Sequence, residues 1–538
     1  MVFARRSTTL LAAIIASCAM VLSLTACTSD NKTVVDGQTT VTSNSAGGVA
    51  VFTPSDGITL NQQMPLNKWA KLVPDLTKAL VDAGFKKGDI NHTTSDSLAK
   101  QSRAIQDFVV DHLSNNTTDD SGIAIAPDNM TLLVAPVVEA DASTRQYGDY
   151  VSQNLSTNDV TDEGATSDGE SSEDDSSNTE SDSTASDEQA QAVDRLVSSL
   201  KLAKESGMHV VLLGNSIEGY KPDAFVKFSD AQTIGKLQAE KMVSKLKLDK
   251  ASKDNPKYIE VLLPYTAMDE KGNANDSTFA QEAFRGIWQV LGSYYQKGVV
   301  ESPSGTLDGK STENDWQAVA YDAAKEGSTA KVLDKRLAKT DGQSTLTRID
   351  GIITMNDYIA SEVVKELDDL GYTGSAADIN PQITISGIVG NITGKKDLSR
   401  DAVPDPIKSP ENDNANDSSS SDDDADKDTS ASDKDRDSQW PLVTGYGAYV
   451  SNIPSIVNGK QWMTGMEDRQ TIATDIAQAC AKLNKDEALN SMPSIRNSEV
   501  GGVKKIPTIN EPLLAVSAGN LKSALIDPGY ISLADAGL

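Results

Sequence analysis

The chain has 538 residues, 38% of them hydrophobic, and a formal net charge of −29. That length exceeds what one compact core supports and points to two or three globular units. Such a negative field repels phosphate, so nucleic acid and anionic lipid surfaces are poor partners. His92, His112 and His209 stand at no metal-ligand spacing, and there is no Cys cluster, phosphate-binding loop or Gly-x-Ser-x-Gly elbow. Paired acids are plentiful, but nothing positive indicates a glycosidase. No catalytic residue, metal or cofactor is expected.

Residues 1–26 read as an export signal. Arg5 and Arg6 form the basic start, an apolar run extends from Leu10 to Leu24, and Leu24-Thr25-Ala26-Cys27 closes it with small residues before a cysteine. That order matches the lipobox of bacterial lipoproteins, which implies cleavage before Cys27 and lipidation of its sulfur. Two or more acyl chains hold a protein on a bilayer far longer than one. A plain secretory signal and an uncleaved anchor are the competing readings, and the apolar run is short for a span. The mature chain is therefore expected outside the cytoplasm, lipid-anchored to the outer face of the cell membrane. Cys18 leaves with the signal and Cys27 becomes the anchor. Cys480 remains alone, so no internal disulfide is available, and its alanine-rich surroundings suit a buried apolar residue on a helix. Residues 27–50 are polar and read as a flexible stalk.

Strands and helices then alternate. Gly57-Ile58-Thr59-Leu60 reads as a short strand, and Trp69 to Ala83 as an amphipathic helix stopped by Gly84. Asp96 to His112 is a second helix. Met130 to Ala135 is apolar enough for a strand buried on both faces. Asn158 to Glu188 follows with 12 acidic and no basic residues, too few apolar groups to offset the entropy of ordering, and is expected to be disordered. A helix from Ala192 to Glu205, a strand from His209 to Leu213, a strand from Tyr258 to Leu263 and a helix from Phe279 to Tyr295 continue the pattern. Gly351 to Met355, a helix from Ile359 to Leu370, and Gln382 to Ile388 complete it. Glu411 to Asp437, with 11 acidic and 3 basic residues, is a second segment of the disordered kind. Its Asp422-Asp423-Asp424 run lacks the glycine and closing glutamate of an ordered calcium loop. This alternation implies parallel sheets with helices on both faces, in more units than one sheet usually holds.

Several segments, in order from about Gly57 to Tyr530, resemble the bacterial sugar-binding proteins of ABC importers, of the xylose and multiple-monosaccharide type. They are Leu66-Asn67-Lys68-Trp69, the helix ending Asp82-Ala83-Gly84-Phe85-Lys86, Lys201 to Leu213, Phe228 to Ala239, Met355-Asn356-Asp357, and Gly502 to Pro507 with the tail through Tyr530. The resemblance implies an α/β fold of type I periplasmic-binding-protein architecture. Two Rossmann-like lobes with parallel sheets, joined by three crossings of the chain, would close on a ligand between them. It also implies that Lys68 stands where the family often places an arginine, with Trp69 as a stacking ring. Asn356 and Asp357 would follow a buried strand at the edge where such sheets hold ligands. Asn275 and Asp276 lie near the family's paired amides. A sugar presents hydroxyls that donate and accept, plus apolar faces, so carboxylates, amides and aromatic rings are the right residue types.

The chain also departs from the family. Its Asp-Arg pair falls here on Gly214 and Asn215, and its later Asp falls near Val389 or Gly447, so two charged anchors are missing. Each site residue has a plainer use: Trp69 as core, Lys68 as a solvated charge, Asn356 or Asp357 as a helix cap. Trp316, Trp440 and Trp462 are candidates for a rim. The expected organisation is a signal at 1–26 and a stalk at 27–50, then lobe 1 at 51–225 with an acidic insert at 156–190. Lobe 2 would span 226–464 with an insert at 399–438, followed by a return to lobe 1 at 465–500 and to lobe 2 at 501–538. The expected function is capture of a sugar by a monomeric solute-binding lipoprotein for delivery to an ABC permease. The alternative is a two-lobed surface lipoprotein that has lost transport and serves as an interaction or sensor partner.

Overall fold

A computed structural model describes residues 34–35, 38–39, 46–55, 65–115, 125–138, 144–151, 153–156, 180–268, 275–338, 346–377 and 440–538. The chain divides into residues 1–45 and residues 46–538. Within the first unit Val34–Val35 pairs antiparallel with Gln38–Thr39. The second unit is built on two sheets.

The first sheet contains β1 (Gly48–Pro54), β2 (Ile90–Ser95), β3 (Met130–Val134), β4 (His209–Leu213) and β5 (Ala224–Lys227). Across the sheet they run parallel in the order β2-β1-β3-β4-β5. The apolar run Val49-Ala50-Val51-Phe52 makes β1 a central strand, and all five residues of β3 are buried, as parallel strands covered on both faces must be. Helix α1 (Trp69–Asp82) puts Leu72, Leu76 and Leu80 on one buried stripe, with Lys71 and Lys78 on the solvent side. Helices α2 (Leu98–Asn115) and α3 (Glu180–Glu205) pack against each other through a separate apolar cluster that includes Ile105, Leu196 and Leu200.

The second sheet repeats this plan with β6 (Lys257–Val261), β7 (Val300–Glu301), β8 (Gly351–Ile353), β9 (Leu442–Tyr446) and β10 (Met463–Met466), in the order β7-β6-β8-β9-β10. All four of these pairings are parallel. Helices α4 (Ala231–Leu246) and α5 (Thr278–Gln296) lie in close contact, and α6 (Asp357–Asp369) follows β8. After β10 the chain returns to the first lobe as α7 (Arg469–Leu483), β11 (Ile495–Val500) and β12 (Val503–Asn510). Gly501 and Gly502 both have positive φ, which a tight hairpin between these strands requires. The chain then crosses back to place β13 (Leu514–Ser517) antiparallel to β10. Two doubly wound lobes of identical strand order, linked by three crossings, form the type I periplasmic-binding-protein architecture.

Several elements differ from the sequence reading. The strand Gly57–Leu60 and the strand Gln382–Ile388 lie outside the described residues, as do residues 1–33, Cys27, most of the first acidic insert and all of the second. The opening strand is β1, which begins inside the stretch read as stalk. Helix α3 begins at Glu180, within the insert, rather than at Ala192. Once its packed part is nucleated on Leu196 and Leu200, extension costs little per residue. The second return falls after Asn510 rather than at 501, because β12 pairs with β5 in the first sheet. Trp316, Trp440 and Trp462 are buried in the core of lobe 2 and form no rim. Cys480 is buried on α7. Among the described residues no helix is long and apolar enough to cross a membrane.

Candidate functional site

In a sheet of order 2-1-3-4-5 the crevice opens at the carboxyl ends of strands one and three, where successive connections leave on opposite faces. In lobe 1 those ends lead to Leu66–Trp69 and to the described residues 135–138, 144–151 and 153–156. In lobe 2 they lead to the described residues 262–268 and 275–277 and to Thr354–Asp357. The carboxyl ends of the two sheets face each other. Glu467, just past β10, donates its N–H to Oδ1 of Asn67 at 3.4 Å, and the Tyr449 hydroxyl, past β9, donates to the Gln146 carbonyl at 2.7 Å.

A cavity of about 740 Å³ lies between the loop after β3 and the loop after β6. From lobe 1 it is lined by Thr144, Gln153, Asn154 and Ser156, and from lobe 2 by Asn275, Asp276, Phe279 and Glu282. The first crossing contributes Asp230, Ala231 and Gln232. Asp230 caps α4 by accepting from Thr233 N–H at 2.7 Å, and it pairs with Lys227 at 2.9 Å. Burial opposes its ionisation, yet the bonds from Lys227 and Thr233 prevail and hold the carboxyl below its usual range. Asn275 Nδ2 donates to the Thr266 carbonyl at 2.8 Å, and Asp276 accepts from Thr278 N–H at 2.9 Å. The lining therefore combines carboxylates, amides and hydroxyls with one aromatic ring.

The other four candidates form a second group. Lys68 pairs with Asp149 at 2.7 Å, and Asp149 also accepts the Trp69 N–H at 3.0 Å. Trp69 is 3% exposed and sits edge-on to Tyr150 and Phe228, with centroids at 5.1 and 5.7 Å, within the lobe 1 core. Asn356 caps α6 by accepting from Ile359 N–H at 2.9 Å and donates across the lobes to Gln146 Oε1 at 3.1 Å. Asp357 is fully buried and accepts from Tyr449 N–H, Gln461 Nε2 and Thr464 Oγ at 2.9, 2.7 and 2.8 Å. Burial raises its carboxyl to about 6, in spite of those bonds. Asp357 thus braces the loops of lobe 2 against one another. Gly214, with φ of +70°, lies beside the Trp69 ring. Asn215 holds lobe 1's own loop, donating to the Pro136 carbonyl at 2.9 Å and accepting from Gln153 N–H at 3.0 Å.

No family model and no curated relative matches the sequence. Solved structures do. One is an ABC transporter solute-binding protein from Clostridium phytofermentans with bound β-D-glucose, at 17% identity and a TM-score of 0.44, covering 91% of this chain and 99% of that one. Another is a carbohydrate transporter solute-binding protein from Chloroflexus aurantiacus in complex with D-glucose, at 18% identity and 0.43, covering 92% and 98%. A periplasmic ribose ABC transporter from Conexibacter woesei is 12% identical, with a TM-score of 0.42 and coverage of 90% and 96%. The architecture stated above rests on strand order and crossings.

The structure gathers Asn275 and Asp276 at the cavity, holds Lys68, Trp69 and Asn356 against Gln146 and Asp149, and buries Asp357 among the loops of lobe 2. Asp230, Phe279, Gln146, Asp149 and Glu467 escaped the sequence reading. The pattern Asp230-Ala231-Gln232-Thr233 carries a helix-cap signal, and two tyrosines in the short polar stretch Gln146–Val151 were a sign that it must be buried somewhere. Nothing local announces Gln146 or Glu467, whose partners lie 210 and 238 residues away. Among the described residues no group of three or more His, Cys, Asp or Glu is placed to hold a metal.

Proposed function

We propose that the chain is an extracytoplasmic solute-binding lipoprotein that captures a sugar between its lobes and presents it to an ABC permease. The supporting observation is the cavity between the loop that follows β3 in lobe 1 and the loop that follows β6 in lobe 2. Its size suits a mono- or disaccharide. Ionised Asp230, the Asn275 and Gln153 amides, and nearby hydroxyls meet the need of sugar hydroxyls both to donate and to accept, while Phe279 offers an apolar face. Binding, without covalent chemistry, is what such a lining provides. The Cys27 lipid would keep the protein beside its permease.

The test is a thermal-shift screen against pentoses, hexoses and short oligosaccharides, since a ligand at 100 times its Kd stabilises by about 2.7 kcal/mol. A shift that Asp230→Ala and Phe279→Ala abolish supports the reading. No shift with any sugar overturns it in favour of a two-lobed interaction or sensor-partner protein. One observation favours that alternative: Lys68 and Asn356 bond the chain's own Thr144–Val151 segment.

A further inference from the structure

Residues 144–151 leave lobe 1 after β3, yet they belong to both lobes. Thr144–Tyr147 form one 3-10 turn between the carboxyl ends of the two sheets. Tyr147 is 1% exposed and is part of the lobe 2 core, its ring 4.7 Å from Phe279 and 6.3 Å from Tyr446. Three residues on, Tyr150 is equally buried but in the lobe 1 core, 4.8 Å from Phe228 and stacked on it.

Polar bonds secure each side. Toward lobe 2, Gln146 accepts from Asn356 Nδ2 through its side chain and from the Tyr449 hydroxyl through its carbonyl. Toward lobe 1, Asp149 holds Lys68 and the Trp69 N–H, its own N–H donates to the Asn67 carbonyl at 2.8 Å, and the Tyr150 hydroxyl donates to the Lys68 carbonyl at 2.5 Å. Gly148, with φ of +95°, provides the bend between the two anchors, and a Cβ there would collide with Asn67.

We propose that Thr144–Val151 is an internal latch that holds the lobes together before any ligand arrives. In a two-lobed binding protein the closed form is ordinarily stabilised by ligand contacts that span the cleft. Here a segment of the chain supplies those spanning contacts itself: two aromatic anchors, one per core, and a hydrogen-bonded side chain at each face. Its effective concentration is that of an intramolecular ligand, so no free solute at ordinary concentration displaces it easily. The same segment supplies Thr144 to the wall of the cavity, which is therefore preformed. Only this consequence for ligand capture rests on the sugar-binding reading. The latch stands on the contacts alone.

Amide hydrogen exchange on the full chain without ligand tests it, because exchange reports opening of each face separately. In the wild type, amides at both cleft faces, Lys68 and Trp69 in lobe 1 and Ala448 and Tyr449 in lobe 2, are expected to exchange slowly. In Gln146→Ala and Tyr147→Ala both sets should exchange at least about tenfold faster, with β3 and β9 still protected. Gln146→Ala removes the side-chain bond to Asn356 and keeps the main-chain carbonyl that Tyr449 uses, so it keeps the test decisive if Tyr147→Ala fails to fold. Fast exchange at both faces in the ligand-free wild type, or acceleration confined to lobe 1 in the variants, overturns the latch. A sugar screen on the same proteins reads out separately. If no sugar shifts any form, the sugar-binding reading falls while slow exchange in the wild type and fast exchange in the variants still uphold the latch.

Discussion

Glu467 lies on the second crossing between lobes, where it accepts from the N–H and hydroxyl of Ser229 on the first, at 2.6 and 2.5 Å. The Tyr446 hydroxyl joins them, 2.5 Å from Ser229 Oγ. Burial raises the Glu467 carboxyl to about 7, more than the Ser229 and Tyr446 bonds lower it, and the nearby Asp230 adds to the rise. Because the folded value is above the unfolded one, the group's contribution is fully present below about pH 4.5 and is lost as pH rises through about 7. That loss is on the order of 3 kcal/mol. Asp357, raised to about 6, acts in the same direction over a lower window. The wild-type melting temperature should therefore fall between pH 5 and 8, and Glu467→Gln should flatten that profile. An unchanged profile in the variant would refute the assignment. Asp357→Ala removes the buried acceptor of three hydrogen bonds, from Tyr449 N–H, Gln461 and Thr464, and urea denaturation should show a loss of about 1–3 kcal/mol.

Helices α4 and α5 meet where each carries a glycine. A Cβ on Gly235 would strike the Ala283 carbonyl, and one on Gly286 would strike the Gln232 carbonyl. Both backbones approach because neither residue has a side chain, which sets the start of α5, and with it Phe279, beside the first crossing. Gly286→Ala should lower stability by about 1–3 kcal/mol through overpacking, read as a lower denaturation midpoint at unchanged slope. It should also weaken any ligand of the cavity, since Gln232 is part of the wall. Asn356→Ala removes the α6 cap at a cost of about 1 kcal/mol, while Asn356→Asp preserves the cap and loses the amide donor to Gln146. A stability gap between the two variants in chemical denaturation measures the cap. Met355 and Ala448, with φ of 68° and 50°, lie two residues past the ends of β8 and β9 in a conformation that non-glycine residues rarely adopt. The residues after them, Asn356 and Tyr449, are the two that reach Gln146.

At the scale of the molecule, the lobes share a junction of aromatic rings and buried carboxyls in place of an open groove along the described residues. On the proposed reading, capture would depend on the cavity beside the latch and on a lipid tether at Cys27. If Cys27 carries the lipid, labelled fatty acid should enter the wild-type chain, and Cys27→Ser should lose the label and appear in the medium. Label retained in Cys27→Ser would place the anchor elsewhere.

The alternation of apolar runs and amphipathic helices made the doubly wound class legible, because burial on both faces of a parallel sheet demands continuous strands such as β3 and striped helices such as α1. The acidic composition, the lone Cys480 and the signal-like pattern before Cys27 are likewise properties of local sequence. Pairing is not local. Whether Val503–Asn510 joins one lobe or the other, whether Asn356 faces a ligand or Gln146, and which core accepts Tyr147 and Tyr150 depend on contacts between residues tens to hundreds of positions apart. Periodicity records only which side of an element is buried. What it is buried against is decided by tertiary contacts, those of Tyr147 and Tyr150 with the two cores among them.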